Sequence, residues 1–294
     1  MRFPRVKQLR SKLSSAKLLG IVAKNSLQFK LRRTALKRFR SRERQFTTII
    51  VDMDGTLYDT DASLEGLSIC FPRRWGTGVS RGEKIYESMI SKIAAGESTI
   101  EQAIIEGNTL FVKRGFQKKN FSKVLARIKP RIRKPLVMAL RKLKSEGKTI
   151  VLATLSSREF ALLMNSYLKK RFDFEFDLVV GTELEYQDGR ISGVKSIVGT
   201  KDFEINGVPV RSKLSAVREE LALIGKGLDV NTSALITDSY GDIDLAKMLV
   251  TILIKPDEPS MDQRVSQRLK LADFIVDDGP GLEEKLVEII LGAS

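Results

Sequence analysis

From Thr47 onward, short apolar runs alternate with stretches that have the periodicity of amphipathic helices. The strand-like runs are 47–52, 149–154, 177–180, 234–237, 250–254 and 273–276. The helical patterns are 136–145, 157–170, 212–224, 242–249, 261–271 and 281–291. Strands that are apolar along their whole length are buried on both faces, and intervening helices connect strands that run in the same direction. We therefore predict an α/β fold with a mainly parallel sheet and helices on both of its faces.

Two other regions depart from this alternation. Asp188-Gly189 and Asn206-Gly207 are typical of two-residue turns, so we predict β-hairpins between 182 and 211. Residues 61–135 contain helical patterns at 82–95, 98–114 and 119–128 and no clear strand. We interpret 61–135 as a small helical cap inserted after the first strand, and 46–60 with 136–294 as the core domain.

The first 45 residues form a separate region with its own composition. They contain fifteen Lys or Arg and one acid, whereas the other 249 residues contain 36 basic and 35 acidic side chains. Apolar residues recur at helical spacing within them, as at Val6, Leu9 and Leu13, which predicts a basic amphipathic extension. Four readings remain open: a disordered tail, a helix on an anionic membrane surface, an organelle transit peptide, and a nucleic-acid-binding arm. The scarcity of aromatic residues makes nucleic acid unlikely as a partner.

The residue types that are missing restrict the chemistry. The chain has no histidine and a single cysteine, Cys70, which excludes Ser-His-Asp and Cys-His nucleophiles, the usual zinc ligand sets, and an intramolecular disulfide. Acid–base work must then fall to Asp, Glu, Lys or Tyr, and a metal site must be built from oxygen. No apolar run approaches the roughly 20 residues that span a bilayer. We expect a cytoplasmic protein, either free or peripheral on a membrane, with organelle import as an alternative.

Carboxylates and hydroxyls gather where the predicted strands end. The first strand is followed by Asp52 and Asp54, whose side chains point to the same side, and like charges this close require a cation or a shared proton. Asp238 and Asp242 follow a second strand, and Thr154 ends a third. Each piece alone could be a turn or a helix cap. Together they lie at the strand ends that form the ligand crevice of a doubly wound sheet.

These segments resemble the motifs of the haloacid dehalogenase-like phosphohydrolases. VDMDGT is similar to the first motif, LATLS to the second, and DSYGD, with an acid pair spaced by four positions, to the fourth. Lys213 is similar to the lysine of the third motif, because it begins a helical pattern 25 residues before Asp238. The hairpin GTELEYQDGRISG and the small helical cap resemble the phosphoserine-phosphatase-like branch. The resemblance covers about 46–290 and implies a Rossmann-like core.

The resemblance also implies a reaction and a role for each residue. Asp52 would attack phosphorus and form an aspartyl-phosphate, and Asp54 would act as general acid and base. Thr154 and Lys213 would hold the phosphoryl oxygens. Lys195 and Lys201 lie in the same interval as Lys213, with a surface position as the alternative for all three.

A Mg²⁺ ion is the cofactor that the resemblance implies. Its ligands would be Asp52, the backbone carbonyl of Asp54, and Asp238. Asp242 would be either a further ligand or a residue that orients the ligands without contacting the metal. Asp244 is interpreted as a solvated helix residue, with a third acid at the site as the alternative. We therefore predict a Mg²⁺-dependent phosphatase that hydrolyses a phosphomonoester.

Residues at the start of the predicted cap bear on the choice of substrate. Asp61 lies where phosphoserine-specific members have a glutamate, and Phe71, Arg73, Arg74 and Trp75 are either an entrance to the cap or ordinary packing with solvated arginines. We expect a phosphorylated small molecule or a lipid head group as substrate. Two alternatives are a phosphotransferase or mutase that uses the same aspartyl-phosphate, and a basic interaction protein whose phosphatase-like body is a scaffold.

Overall fold

The computed structural model of the 294-residue chain describes residues 46–73, 78–238, 240–255 and 272–292. The basic extension at 1–45, the helix predicted at 261–271, and Arg74 and Trp75 lie outside the described residues.

Within the described residues, nine strands form one sheet. They are β1 (Thr48–Val51), β2 (Thr149–Ser157), β3 (Leu178–Gln187), β4 (Arg190–Gly199), β5 (Phe203–Ile205), β6 (Val208–Ser212), β7 (Ser233–Thr237), β8 (Val250–Lys255) and β9 (Phe274–Asp277). Their order across the sheet is β5-β6-β4-β3-β2-β1-β7-β8-β9. The six strands β3-β2-β1-β7-β8-β9, which are neighbours in this order across the sheet, are all parallel. This confirms the predicted parallel core.

The two predicted hairpins extend this sheet beyond β3. β3 pairs with β4 in an antiparallel arrangement, β5 pairs likewise with β6, and β6 lies parallel to β4. Both turns have positive φ at their two central residues: Asp188 at 51° and Gly189 at 73°, and Asn206 at 53° and Gly207 at 78°. These are the backbone angles that favour Asn-Gly and Asp-Gly in tight hairpins, and the prediction is confirmed.

Helices cover the sheet on both faces, as predicted. The helices are α1 (Ala62–Cys70), α2 (Arg81–Ala95), α3 (Ile100–Lys113), α4 (Phe121–Ile128), α5 (Lys134–Ser145), α6 (Arg158–Phe172), α7 (Lys213–Leu223), α8 (Ile243–Met248) and α9 (Leu282–Leu291). Alternate residues of β1 face opposite sides: Ile49 and Val51 join the apolar cluster of α5, α6 and α9, and Ile50 joins that of α7 and α8. The central strand is therefore buried on both faces.

Four of these helices, α1 to α4, lie between β1 and α5 in the chain. Helix α1 is absent from the sequence prediction, because it is only nine residues long and its apolar periodicity is weak. Its start is set by Asp61, whose carboxylate accepts from the backbone N–H of Ser63 at 2.6 Å and of Leu64 at 3.3 Å. The helices predicted at 82–95 and 98–114 match α2 and α3 closely, and α4 begins two residues later than predicted.

A buried carboxylate ties α3 to the sheet. Glu101 is 1% exposed and accepts from Thr200, from its backbone N–H at 2.9 Å and from its hydroxyl at 2.7 Å. Although burial opposes the charge, these two hydrogen bonds hold the pKa of Glu101 below its ordinary value. The charged form therefore stabilises the fold above the pKa of the unfolded chain, and this contribution is lost as the pH falls through the folded pKa.

We expect Glu101→Gln to lower the free energy of unfolding at pH 7 by about 1–2 kcal/mol, because a charge-assisted pair becomes a neutral one. The difference from the unsubstituted chain should shrink as the pH falls below about 4, where the glutamate also becomes neutral. Urea unfolding from pH 7 to below pH 4 measures this difference in the free energy of unfolding. Glu97→Gln, an exposed site on the preceding turn, is the matched control. Equal losses in the two variants, or a loss that does not depend on pH, would contradict the assignment.

Candidate active site

The site residues lie at the carboxyl ends of adjacent strands. Asp52 directly follows β1 and Asp238 directly follows β7, and these two strands are parallel neighbours. Thr154 lies within β2 and not at its end, because β2 continues to Ser157 through an irregular register against β3. Thr154 still points into the site, where its hydroxyl lies 3.2 Å from Asp54 Oδ2.

A buried lysine bridges two of the carboxylates. Lys213 begins α7 and is 1% exposed. Its Nζ donates to Asp52 Oδ1 at 2.7 Å and also forms an ion pair with Asp242 Oδ1. The second oxygen of Asp242 accepts from the Thr237 hydroxyl at 2.6 Å. Three parts of the chain that are far apart in sequence therefore meet in one charged cluster.

The charges in this cluster depend on one another. Burial, followed by repulsion from Asp242, raises the pKa of Asp52 well above its ordinary value, and Lys213 opposes this rise. Burial would lower the pKa of Lys213, but the carboxylates of Asp242 and Asp52 raise it above its ordinary value. The ammonium group therefore stays charged at neutral pH and compensates the two acids.

The other candidate lysines lie elsewhere. Lys195 has a side chain that is 67% exposed and pairs with Glu183 at 3.1 Å. Lys201 is exposed and lies 5.0 Å from the centre of the Phe203 ring. Of the three lysines considered from the sequence, Lys213 is the one placed beside Asp52.

Asp244 is not the solvated helix residue that the sequence suggested. It is half-buried, and its Oδ2 accepts from the backbone N–H of Leu214 at 2.8 Å. This contact attaches α8 to the first turn of α7, the turn that carries Lys213. Burial raises the pKa of Asp244. The sequence contained no signal for this contact, because it joins two helices through a backbone group.

Thr56 connects Asp52 and Asp238, the two acids that directly follow β1 and β7. Its hydroxyl donates to Asp238 Oδ1 at 2.8 Å, accepts from the Asp238 backbone N–H at 2.9 Å, and lies 3.4 Å from Asp52 Oδ2. Thr56 is fully buried. Thr56 belongs to the VDMDGT motif, from which no role for its side chain was predicted. The Gly-Thr pair directly after the second aspartate was the available signal.

Gly55 permits the close approach of Asp238. Its φ is +79°, and a Cβ at this position would overlap the Asp238 carboxylate. Only glycine adopts this backbone conformation without strain, and here only glycine leaves room for the carboxylate. The carboxylates of Asp52 and Asp238 thus both lie within reach of the Thr56 hydroxyl, and Gly55 presents no side chain to Asp238.

The carboxylate oxygens of Asp52 and Asp238 suit a hard cation that needs few protein ligands. Among the described residues, no group of three or more Asp, Glu, Cys or His side chains is arranged to hold a metal ion. Mg²⁺ is commonly held by only one or two carboxylates, together with water and substrate phosphate oxygens. Asp52 and Asp238 meet this requirement, whereas the carboxylate of Asp242 is engaged by Lys213 and Thr237. The four-residue ligand set stays a prediction.

Asp54 has a different environment from Asp52. Its Oδ1 accepts from the Tyr58 hydroxyl at 2.6 Å and from the Ala62 backbone N–H at 2.7 Å, and its Oδ2 faces Thr154. The two aspartates therefore lie in separate hydrogen-bond networks although only one residue separates them. Burial and the Asp54 charge raise the pKa of Tyr58, so its hydroxyl remains a donor.

Two residues considered for substrate recognition, Asp61 and Phe71, are engaged within the protein, whereas Arg73 of the cap-entrance cluster is exposed. Besides capping α1, Asp61 accepts from the Tyr86 hydroxyl of α2 at 2.8 Å, and burial followed by repulsion from Asp54 raises its pKa to about 7. Phe71 is buried, and the Arg114 guanidinium lies 4.4 Å from the centre of its ring. These contacts favour packing as the role of Phe71.

We expect Gly55→Ala to abolish phosphate release from a phosphate ester and to lower the free energy of unfolding by about 1–2 kcal/mol, because the residue has positive φ. Gly189→Ala is the matched control: its φ is +73°, and a Cβ there meets nothing within 4 Å. This control should lose stability only through its positive φ, and therefore less than Gly55→Ala, and it should keep full activity. Urea unfolding and phosphate release measure the two effects. Equal activity in both variants would show that the approach of Asp238 does not matter.

The comparison with family models decides the family. The model of the haloacid dehalogenase-like hydrolases matches residues 49–247, which is more than half of the chain and contains every site residue described above. The chain belongs to this family. The resemblance inferred from the sequence motifs is confirmed, and so is the expectation of a hydrolase. A search of curated proteins gave no match for the chain.

Solved structures share the fold of this hydrolase. A phosphoserine phosphatase from T. onnurineus in complex with NDSB-201 is 17% identical, with 85% of this chain and 96% of that chain covered and a TM-score of 0.53. A phosphoserine phosphohydrolase-like protein from Francisella tularensis subsp. tularensis SCHU S4 is 16% identical, with 82% and 99% covered and a TM-score of 0.56. A phospho-aspartyl intermediate analogue of phosphoserine phosphatase is 15% identical, with 79% and 94% covered and a TM-score of 0.53. At these identities the likeness shows that the fold is shared.

Within the part of the chain that the structure describes, no helix is both long enough and apolar enough to span a membrane.

Proposed function

We propose that this hydrolase is a Mg²⁺-dependent phosphatase that hydrolyses a phosphomonoester through a phosphorylated Asp52. The observation that carries the proposal is the buried ion pair between Asp52 and Lys213, next to Asp238. The Asp52 carboxylate, at the end of β1, is held by the Lys213 ammonium group. The oxygen atoms of Asp238, held by Thr56, are available as metal ligands. This arrangement suits a nucleophile that must approach an anionic phosphoryl group.

The two aspartates divide the chemistry. Asp52 forms a bond to phosphorus while the bond from phosphorus to the leaving oxygen breaks, and Asp54 gives that oxygen a proton. Asp54 then takes a proton from a water molecule that attacks the same phosphorus. The bond between Asp52 and phosphorus breaks, inorganic phosphate leaves, and both aspartates return to their starting states. Lys213 and Thr154 hold the phosphoryl oxygens as their charge redistributes.

The cofactor would be held by Asp52, Asp238 and the backbone carbonyl of Asp54, with Asp242 behind them. When bound, Mg²⁺ supplies positive charge that reduces the repulsion between the nucleophile and the substrate phosphate. Thr56 keeps the two carboxylates in place through its hydroxyl, and Asp242 keeps Lys213 oriented toward Asp52.

Structures that share this fold support a phosphorylated small molecule as the substrate, and a lipid head group is the alternative that we propose. One of them is described as a phospho-aspartyl intermediate analogue of phosphoserine phosphatase. Phosphoserine itself is less favoured, because the acid at the corresponding place is Asp61, which is engaged by Tyr86 and by the start of α1. A phosphotransferase that uses the same intermediate remains the alternative.

Hydrolysis of p-nitrophenyl phosphate by the full chain tests the proposal. We expect turnover with Mg²⁺, none with EDTA, and release of inorganic phosphate without an added acceptor. Phosphate release that requires an alcohol acceptor would favour the transferase. A screen of phosphorylated amino acids, sugars, nucleotides and lipid head groups then identifies the substrate class. No turnover of any ester in the presence of Mg²⁺ would contradict the proposal.

A second candidate concerns where the phosphatase acts, and the distribution of charge favours it. Residues 1–45 carry fifteen basic side chains and one acid, and residues 113–144 carry thirteen basic side chains and no acid. In the second segment Lys119, Lys123, Lys134 and Arg141 are exposed. Basic residues near an anionic bilayer contribute about 1 kcal/mol each. We propose that both segments face an anionic membrane surface that presents the substrate.

Flotation with phosphatidylserine-containing vesicles tests this second candidate. We expect the full chain to bind, a chain that begins at Arg44 to bind more weakly, and Lys119→Glu with Lys123→Glu to weaken binding further. Lys92→Glu with Lys195→Glu is the matched control at exposed sites outside the basic segment. Equal binding to phosphatidylcholine alone, or equal losses in both pairs, would contradict the proposal.

A further inference from the structure

A buried arginine outside the acidic cluster contacts the backbone of the turn that follows Asp54. Arg133 directly precedes α5 and is 8% exposed. Its Nη1 donates to the carbonyl of Thr56 at 2.9 Å and to the carbonyl of Gly55. Its backbone N–H donates to the carbonyl of Leu57 at 3.0 Å. One residue therefore satisfies three consecutive carbonyl groups of the turn.

The guanidinium has its own partner at the far edge of the sheet. Arg133 Nε donates to Asp278 Oδ2 at 2.6 Å, and Asp278 directly follows β9. The Asp278 side chain is 27% exposed, whereas that of Arg133 is only 7% exposed. Asp278 lies beyond the residues that the family model matches, 49–247. The contact therefore joins the C-terminal part of this chain to the turn at the site.

The geometry explains why an arginine is needed here. Two adjacent carbonyl groups, those of Gly55 and Thr56, accept from the same Nη1 in a buried region, and buried acceptors require donors. A guanidinium offers several donors in a rigid plane, so it can hold a carboxylate through Nε and carbonyl groups through Nη1 at the same time. A lysine ammonium has a single nitrogen, so it cannot reach the Asp278 carboxylate and the carbonyl groups of the turn at the same time.

The opposite side of the same turn holds the reacting groups. The Thr56 side chain contacts Asp52 and Asp238, while its carbonyl contacts Arg133. Any movement of the Thr56 backbone would displace the hydroxyl that connects the two acids. Gly55 leaves the turn free to adopt other backbone angles once its carbonyl loses a partner.

We infer that Arg133 and Asp278 act together as positioning residues that hold the 55–57 turn in the geometry required for phosphoryl transfer. This inference rests on the proposed phosphatase function. Neither residue contacts the substrate in this assignment. The pair acts through the backbone of Gly55 and Thr56 on the placement of Asp52 and Asp238. Its loss should therefore lower the rate of the chemical step more than it weakens substrate binding.

The test compares Arg133→Lys and Asp278→Ala with Arg131→Lys. Arg131 is the matched control, because it lies two residues away, is exposed, and pairs with Asp59 at 2.6 Å outside the turn. We expect kcat for p-nitrophenyl phosphate to fall at least about tenfold in Arg133→Lys and less in Asp278→Ala, with KM changed less than about threefold. The double variant should resemble Arg133→Lys alone, since the pair acts as a unit. The control should match the unsubstituted chain.

Amide hydrogen exchange supplies a readout that does not depend on activity. In Arg133→Lys we expect faster exchange at the amides of 53–58, with no change in β2 or β8. Unchanged exchange at the turn, or an equal increase throughout the sheet, would overturn the inference. An unchanged kcat in an active protein would also overturn it. If the unsubstituted chain hydrolyses no ester but the turn still responds, the positioning role stands and the proposed function fails.

Discussion

Asp52→Asn is expected to abolish phosphate release from p-nitrophenyl phosphate, with a loss of at least about a thousandfold in kcat. An amide has nearly the same shape as the carboxylate but cannot attack phosphorus. The fold should be retained, because Lys213 keeps the Asp242 carboxylate as its partner, and because burial and Asp242 already disfavour a charge on residue 52. Steady-state kinetics and urea unfolding measure the two quantities.

Asp59→Asn is the control for this loss. Asp59 lies in the same turn region, is exposed, and pairs only with the side chain of Arg131 at 2.6 Å among the contacts described for its carboxylate. It should keep normal activity. A phosphorylated protein that can be trapped in the unsubstituted chain and not in Asp52→Asn would establish Asp52 as the group that carries the phosphoryl. Full activity of Asp52→Asn would remove the basis of the proposed mechanism.

Lys213→Met is expected to have the largest effect on stability. Methionine fills a similar volume, but it leaves Asp52 and Asp242 buried beside each other without a cation. Removal of one partner from a buried ion pair typically lowers the free energy of unfolding by about 3–5 kcal/mol. We expect a loss of that size at pH 7 in EDTA and, with Mg²⁺ present, a loss of phosphate release. Urea unfolding and phosphate release at pH 7 provide the measurements.

The pH dependence and a second substitution separate this explanation from simple misfolding. The stability loss should decrease as the pH falls, because burial and Asp242 raise the pKa of Asp52 and protonation of Asp52 removes the repulsion. Adding Asp242→Asn to Lys213→Met should recover part of the stability, since one charged acid remains, without recovering activity. Lys195→Met, at an exposed lysine, should be close to neutral. A loss that is independent of pH and of Asp242 would contradict the buried-pair assignment.

Local patterns predicted much of the fold. The apolar runs identified six of the nine described strands, and the Asp-Gly and Asn-Gly turns located the two hairpins that contain the others. Helix α1 was missed because a capping aspartate and contacts with α2 define it more than its own periodicity does. The end of β2 was placed too early, because pairing with β3 continues past Thr154.

The sequence by itself determined which residue types meet at the strand ends: two aspartates with Gly-Thr after β1, an acid after β7, and a hydroxyl on β2. It could do so because strand periodicity and the parallel arrangement bring these positions to one edge. Only the tertiary structure decided that Lys213 bridges Asp52 and Asp242, that Asp244 attaches two helices, and that Arg133 and Asp278 hold the turn. Those contacts join side chains and backbone groups far apart in the chain, and no local pattern encodes a distance between them.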